Sequence, residues 1–373
     1  MRVKQKKLLE MNYNKLFFLA VLLPATPGLC GQEITDSKTL RRSFRADNET
    51  VMEVTNKYGD VHITQSHSDS ITVVVEISAS SNTDDRIQAM MSDIDVNISM
   101  TGGTVRAETS FRKGITPLFE TFKGLTKNLI NFESRMKIDY FIECPPSTTL
   151  SITNSYGDVY IGDEVPDLAL KLSNGNLDAA AVDNARMMEL TFCKANVRSI
   201  RSGKITLSFS ELRTRETGNI KLSAVSSKAW IDKCETVDLD SKRDDLHFGS
   251  VNVITGTSYF SDIIADRVAG EINLSVKYGN LSFEKIEPDF RVIDIKSSYA
   301  DIDLVMEESS VYELEIRHAN AFVSLPGITP APERTEISAQ DKLFLTKASR
   351  GSGSGRPQIR IDATRGEIRL LQQ

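Results

Sequence analysis

Ten positions carry side chains that could do chemistry in series: Asp158, Asn176, Asn196, Glu211, Lys228, Asp245, Asp262, Asn280, Asp301 and Asn320. If they stack on one another, their carboxylates and amides form a ladder of oxygens, the donor type a calcium ion prefers. Two observations weigh against that chemistry. The glycine-rich calcium-binding nonapeptide is absent, and Asn alternates irregularly with Asp. Two carboxylates about 4.8 Å apart repel by roughly 1 kcal/mol in water, so a mixed column suits turn residues that bond their own backbone. No metal ligand is assigned.

The remaining candidates are weaker. An aromatic column, Tyr58, Tyr156, Phe209, Phe260, Tyr278 and Tyr299, could stack on sugars. Alternation with the apolar positions points these rings inward instead, to pack rung on rung. The four histidines, His62, His67, His247 and His318, share no metal-ligand spacing. The acid pairs Asp301/Asp303 and Asp232/Asp238 would serve a hydrolase only inside a cleft; on a plain strand they form a solvated face. No P-loop, GxSxG or HExxH occurs, and Trp230, the single tryptophan, reads as rung packing. No catalytic, cofactor-binding or metal residue follows, and the chain reads as a non-enzyme.

These residues need a scaffold, and the sequence repeats one. Ser155-Tyr156-Gly157-Asp158-Val159-Tyr160-Ile161 has near copies at Lys57–Ile63 and Lys277–Phe283. Between Asp158 and Asn320 the corner recurs every 15 to 21 residues. Before the Asp/Asn position stands a small residue (Gly157, Gly175, Ala195, Ser210, Ser227, Ser261, Gly279, Ala300, Ala319), with Asp244 the exception. A small residue permits backbone conformations that a bulky one resists. Alternating apolar pairs flank each corner, such as Leu150/Ile152 and Val159/Ile161. One such unit cannot bury its apolar face, whereas stacked units can.

The predicted fold is therefore all-β: a right-handed parallel β-solenoid of about ten rungs over 150–371, the hand following the usual crossover rule. Asp60 and Glu367 carry the motif outside the regular array. Pro326, Pro330 and Pro332 end the array, 346–357 is a Gly/Ser loop, and Gln358–Leu371 is expected as a final rung acting as a cap.

Residues 1–31 read as a signal peptide, with five basic residues before the apolar run Leu16–Leu23. That run is too short for a stable membrane span. Its removal takes the net charge from −6 to −10, which disfavours nucleic acid and anionic membrane as partners. Residues 32–149 form an N-terminal β section with strands at 52–63, 71–77 and 135–143. It also holds an amphipathic helix within 80–93, a hairpin at Gly102-Gly103 and a basic, aromatic flap loop at 111–134. Cys144, Cys193 and Cys234 remain after cleavage. Their odd number and irregular spacing fit buried thiols, with one disulfide left open.

The Tyr-Gly-Asp corners, the strand Tyr140–Pro145 leading into Leu150–Ile161, and the exported start resemble the bacterial putative-adhesin family of β-strand repeats. That family is similar to auto-transporter adhesin head domains. The resemblance covers about 48–371 and implies a β-helical periplasmic or surface protein with no catalytic residues to carry over. The expected function is an exported, non-catalytic adhesin-like binding or scaffold module, with a glycan or an envelope protein as partner. The alternative is a β-helix lyase or hydrolase acting on acidic polysaccharide. It would need acids and bases clustered on neighbouring rungs in a groove walled by long loops.

Overall fold

The structure is a computed structural model that describes residues 34–112, 134–352 and 355–373. The signal peptide at 1–31 and nearly all of the basic loop at 111–134 lie outside the described residues.

Strands dominate. The chain opens with β1 (Ile34–Arg45), β2 (Val51–Lys57), β3 (Val61–Gln65) and β4 (Ser70–Ser81). The one helix among the described residues, α1 (Asp84–Asp93), follows, then β5 (Ile94–Thr101), β6 (Thr104–Phe111) and β7 (Ser134–Cys144). The helix starts on Asp84 and Asp85, acids suited to the positive end of its dipole, and buries Ile87 and Met90. Gly102 and Gly103, at φ 57° and 77°, turn β5 into β6 as the hairpin signature predicts.

Next come β8 (Thr149–Ser155), β9 (Val159–Ser173), β10 (Asn176–Thr191), β11 (Lys194–Ser208), β12 (Glu211–Val225) and β13 (Lys228–Lys242). The long β14 (Asp245–Ile286) runs through several turns of the stack and leads to β15 (Val292–Met306) and β16 (Tyr312–Ser324). β17 (Glu333–Ser338), β18 (Leu343–Arg350) and β19 (Gln358–Gln372) complete one 19-stranded sheet.

From β8 to β15 each strand pairs in parallel with the next, and β2 and β3 pair in the same sense with β8 and β9. The burial pattern explains the bends. Leu212, Thr214, Thr217, Ile220, Leu222, Ala224, Ser227 and Ala229 are all buried. Buried positions therefore advance by two along flat stretches, as a pleat requires, and by three where the chain turns a corner. One continuous apolar cluster runs from Ala46 to Leu370. Each Leu, Ile or Phe withdrawn into it contributes about 1.5–3 kcal/mol.

The ends depart from the sequence expectation. β19 does not cap the stack. It lies inside, parallel to β15 on one side (Ile302↔Ile368) and to β16 on the other (Leu314↔Ile359). Its Ile359 and Ile361 match the apolar pairs of both neighbours, so the pattern alone cannot tell an inner from an outer place. The outer edge of β16 is covered by antiparallel β18, which in turn carries β17. At the other end β6 and β7 lie on β2 and β3, and the antiparallel strands β5, β4 and β1 close over them. Antiparallel covers of this kind keep the growing edge of a parallel stack from recruiting further strands. Among the described residues no helix is long and apolar enough to cross a membrane.

His318 sits at the β16–β18 seam. It is buried, its ring lies 5.7 Å from that of Phe344, and Nε2 is 3.1 Å from the Thr346 hydroxyl. Among the described residues its Nδ1 has no partner within ordinary hydrogen-bond geometry. Burial, with Arg334 nearby, lowers its pKa below the ordinary 6.5. A base with a depressed native pKa takes up its proton more readily when unfolded, so stability is lost as pH falls through 6.5 and below. We expect His318→Phe to flatten this loss: the stability advantage of the native chain over the variant should shrink between pH 7.5 and 5, read by urea unfolding.

Candidate functional site

The corners put side chains on the outside of the stack. Each turns on a residue in the left-handed region: Tyr58, Tyr156, Asn174, Phe192, Phe209, Ser226, Arg243, Phe260, Tyr278, Tyr299, Asn320 and Arg365, all with φ between 49° and 68°. Backbone hydrogen bonds tie them rung to rung, from Tyr58 N–H to Ser155 carbonyl, then Tyr156 to Ser173, Asn174 to Thr191, and on to Arg243 with Tyr259. The left-handed residue thus precedes the small one.

This corrects the inward placement of the aromatic column. A left-handed residue breaks the strand alternation, so a ring that the apolar pattern assigns to the core swings outward. Phe192 and Phe209 are 58% and 56% exposed. Rings stack on the next rung where both are aromatic: Tyr58–Tyr156 at 5.5 Å, Phe192–Phe209 at 5.1 Å, Phe260–Tyr278 at 4.6 Å and Tyr278–Tyr299 at 5.1 Å. Such pairs return about 0.5–1.5 kcal/mol each, against the ~1–2 kcal/mol that left-handed backbone costs a residue with a side chain.

At Gly279, φ 132°, the small residue supplies the expected backbone freedom, but at Gly157 and Gly175 it has a different task. A Cβ on Gly157 would sit 1.8 Å from the Gly59 carbonyl oxygen, and one on Gly175 would sit 2.0 Å from that of Gly157. Close approach of successive rungs, rather than backbone freedom, demands glycine there.

Two members of the Asp/Asn column also move. Lys194, not Asn196, aligns with Asn176, and Phe322, not Asn320, aligns with Glu367. Ala195-Asn196 and Ala319-Asn320 imitate the small-then-amide corner, and a slip of two residues leaves an alternating pattern unchanged. Asp60 and Glu367, expected outside the array, belong to the column. The Asp158 N–H donates to Asp60 Oδ1 at 2.8 Å, Asn176 N–H to Asp158 Oδ1 at 2.7 Å, and Glu367 N–H to Asp301 Oδ1 at 2.8 Å. The carboxylates therefore bond the neighbouring rung rather than their own turn. Burial alone would raise the Asp60 pKa; the Asp158 N–H and the Lys137 ammonium, 2.9 Å away, outweigh it and hold it below the ordinary value.

A second ladder, missed in the sequence, lies at the small position. Ser210 Oγ accepts from Cys193 N–H, Ser227 Oγ from Ser210 N–H, Asp244 Oδ1 from Ser227 N–H and Ser261 Oγ from Asp244 N–H, at 2.8–3.1 Å. The recurrence of serine at 210, 227 and 261 was the available signal. Asp244 is only 2% exposed, and its other oxygen accepts from Ser241 Oγ and Lys242 N–H. Burial pushes its pKa up.

Two residues beyond the Asp/Asn column runs a third row. Phe141, His62 and Tyr160 stack at 4.9 and 4.7 Å, and the row continues through Asp178, Asn196, Arg213, Trp230 and His247. Arg213 lies 4.3 Å over the Trp230 ring, so that tryptophan faces outward in a groove of about 790 Å³. A second concavity, of about 670 Å³, carries Glu164, Asp183, Arg201, Glu216, Lys233 and Glu235. Arg201 is 3.0 Å from Asp183, and Glu235 accepts from Asn252.

The acid pairs separate in their bonding. Asp303 binds Arg369 while Asp301 receives the Glu367 N–H, and Asp238 binds Lys221 while Asp232 lines the groove beside Trp230. His247 meets Asp266 at 2.6 Å. Cys144, Cys193 and Cys234 are free and buried, and burial pushes the Cys144 and Cys234 thiols up to about 11. Among the described residues no three His, Cys, Asp or Glu are placed to hold a metal ion.

No curated protein matches the chain. Among solved structures, a protein described as a putative adhesin from Parabacteroides merdae is similar over 71% of this chain and 95% of its own, at 11% identity and TM-score 0.37. A Parabacteroides distasonis protein described as a putative lipid binding protein covers 72% and 96%, at 8% identity and TM-score 0.35. A putative cell adhesion protein from Clostridium sporogenes covers 91% and 100%, at 10% identity and TM-score 0.21. Likeness at this level carries no argument about activity. The family model is decisive: the description Toastrack DUF4097 matches residues 49–371, and the chain belongs to that family.

Proposed function

We propose that the chain is an exported, non-catalytic, adhesin-like binding or scaffold module of the periplasm or cell surface. In this reading residues 150–371 form a right-handed solenoid of about ten rungs, extended by the N-terminal section at 32–149. Its contact surface is the outward face between the corner row and the row of Trp230, and its partner is a glycan or an envelope protein. One observation supports this most: large aromatic side chains, Phe192, Phe209 and Phe260 among them, stand exposed in file on a regular scaffold. Exposed apolar side chains gathered in one place mark interaction surfaces more often than scattered ones do.

The enzyme reading draws on the concavity of Glu164, Asp183, Glu216 and Glu235 with Arg201 and Lys233. Short turns frame that concavity rather than long loops, and Arg201 already neutralises Asp183. The test is a glycan and matrix-protein binding screen on the purified chain, with calcium present or chelated. Binding without turnover supports the module; release of shortened saccharide from a polysaccharide would overturn it.

A further inference from the structure

The corner ladder is interrupted where Phe209 is followed by Ser226 and then Arg243. Hydrogen bonds from Phe209 N–H to Val225, Ser226 N–H to Lys242 and Arg243 N–H to Tyr259 place these three on consecutive rungs. Two rung spacings separate Phe209 from Arg243, roughly 10 Å. One ring fits in such a gap, since Phe192 and Phe209 stack at 5.1 Å. Phe192 occupies one face of Phe209, and above the other stands only the short side chain of Ser226.

The far wall is cationic. Lys242 and Arg243 are both exposed, and among the described residues neither has an ion-pair partner. The acids that follow the corners are already engaged: Glu211 with Arg213 at 2.7 Å, and Asp245 with Lys228 at 2.6 Å. Exposed Asp240, two residues before Lys242 on β13, is the acid closest to the cations along the strand. The Asp244 carboxylate beneath is committed to three donors. Exposed Val225 flanks the gap on the strand before the corner, while Tyr259 lies one rung beyond Arg243, packed against Phe260 and Tyr278.

Resting on the binding-module reading, we propose that this notch is a subsite for a carboxylated pyranose, a uronate-type sugar. The sugar's C–H face packs on Phe209, its hydroxyls meet Ser226 Oγ, and its carboxylate lies against Arg243 and Lys242. A guanidinium matches a carboxylate's planar geometry, and the phenyl face accepts the apolar side of the ring. A neutral sugar would leave both cations unanswered. An aromatic side chain would fill the gap but use neither the cations nor the serine.

The variant Ser226→Phe tests the notch without weakening the scaffold. Phe192, Phe209 and Phe260 already hold the same left-handed conformation at φ 54°, 49° and 56°, against 51° for Ser226. The new ring should therefore continue the ladder and leave the unfolding midpoint unchanged or higher. The probes are a galacturonate tetramer, the matching neutral galactose tetramer and a glutamate tetrapeptide, titrated by NMR on the full chain. The uronate is expected to bind at least about tenfold more tightly than either of the others, from one ring stack plus one charge-assisted contact. Ser226→Phe should remove that binding, and Arg243→Gln should abolish the preference for the acid over the neutral sugar.

The proposal fails if Ser226→Phe binds the uronate like the unmodified chain. It fails equally if the glutamate peptide binds as well, which would reduce the site to bare charge. A chain that binds other glycans or proteins in the screen but not the uronate sinks the notch alone. A chain that binds nothing sinks the module reading with it.

Discussion

Alanine at position 244 is expected to lower stability by about 3 kcal/mol or more, a large drop in urea midpoint for a single side chain. The Asp244 carboxylate accepts from Ser227 N–H, Lys242 N–H and Ser241 Oγ–H, at 2.6–2.8 Å. Removing it strands buried donors that cost about 1–3 kcal/mol apiece. Asparagine should rescue only part, because its amide nitrogen would meet the donors now served by Oδ2. The pH dependence has a definite sign. Burial raises the native pKa above 3.8, so the folded chain takes up this proton at a higher pH than the unfolded chain does. Asp244 therefore contributes more as pH falls from its native pKa towards 3.8. The gap between the unmodified chain and Asp244→Ala should widen over that window, opposite to the behaviour expected at His318. A constant or shrinking gap would mean that the carboxylate is not buried among these donors.

Gly157→Ala is expected to be at least as damaging, costing about 4 kcal/mol or preventing the β9 rung from seating on β3. The added methyl would overlap the Gly59 carbonyl at 1.8 Å, and that contact is backbone on backbone, which no rotamer change relieves. Gly162→Ala is the control. Its Cβ would meet nothing nearer than 3.8 Å, so it should stay within about 0.5 kcal/mol of the unmodified chain. Equal midpoints for the two variants would show that rungs do not approach this closely at the Tyr-Gly-Asp corner.

Much of this architecture is legible in the chain, for reasons that also explain what was not. Alternating apolar pairs fixed the strands, and the recurrence of Tyr-Gly-Asp fixed the corners at Asp158 and Asn280. Alternation has a period of two, however, and is blind to a shift of two. Lys194 and Phe322 were therefore lost to the nearby Ala195-Asn196 and Ala319-Asn320. The same period assigned Phe209 and Tyr299 to the core, because it carries no information about a left-handed residue that turns the count over. The Ser210–Ser227–Asp244–Ser261 ladder was hidden differently. Serine at a turn needs no explanation from a single position, and its meaning appears only when four rungs are laid side by side. The notch at Ser226 depends on a missing ring rather than on a motif, and only the neighbouring corners reveal it.

The place of β19 bears on how the chain is made. A ribosome delivers β16, β17 and β18 before the strand that must lie between β15 and β16 exists. Until residues 358–372 emerge, β15 and β16 each show an unsatisfied row of amides and carbonyls to whatever is near. Assembly of this end cannot simply follow synthesis rung by rung, as a stack built in chain order could. A stop codon before residue 358 would not shorten the molecule by its last layer. It would open a seam one layer in, and the fragment would be prone to pair with its own kind.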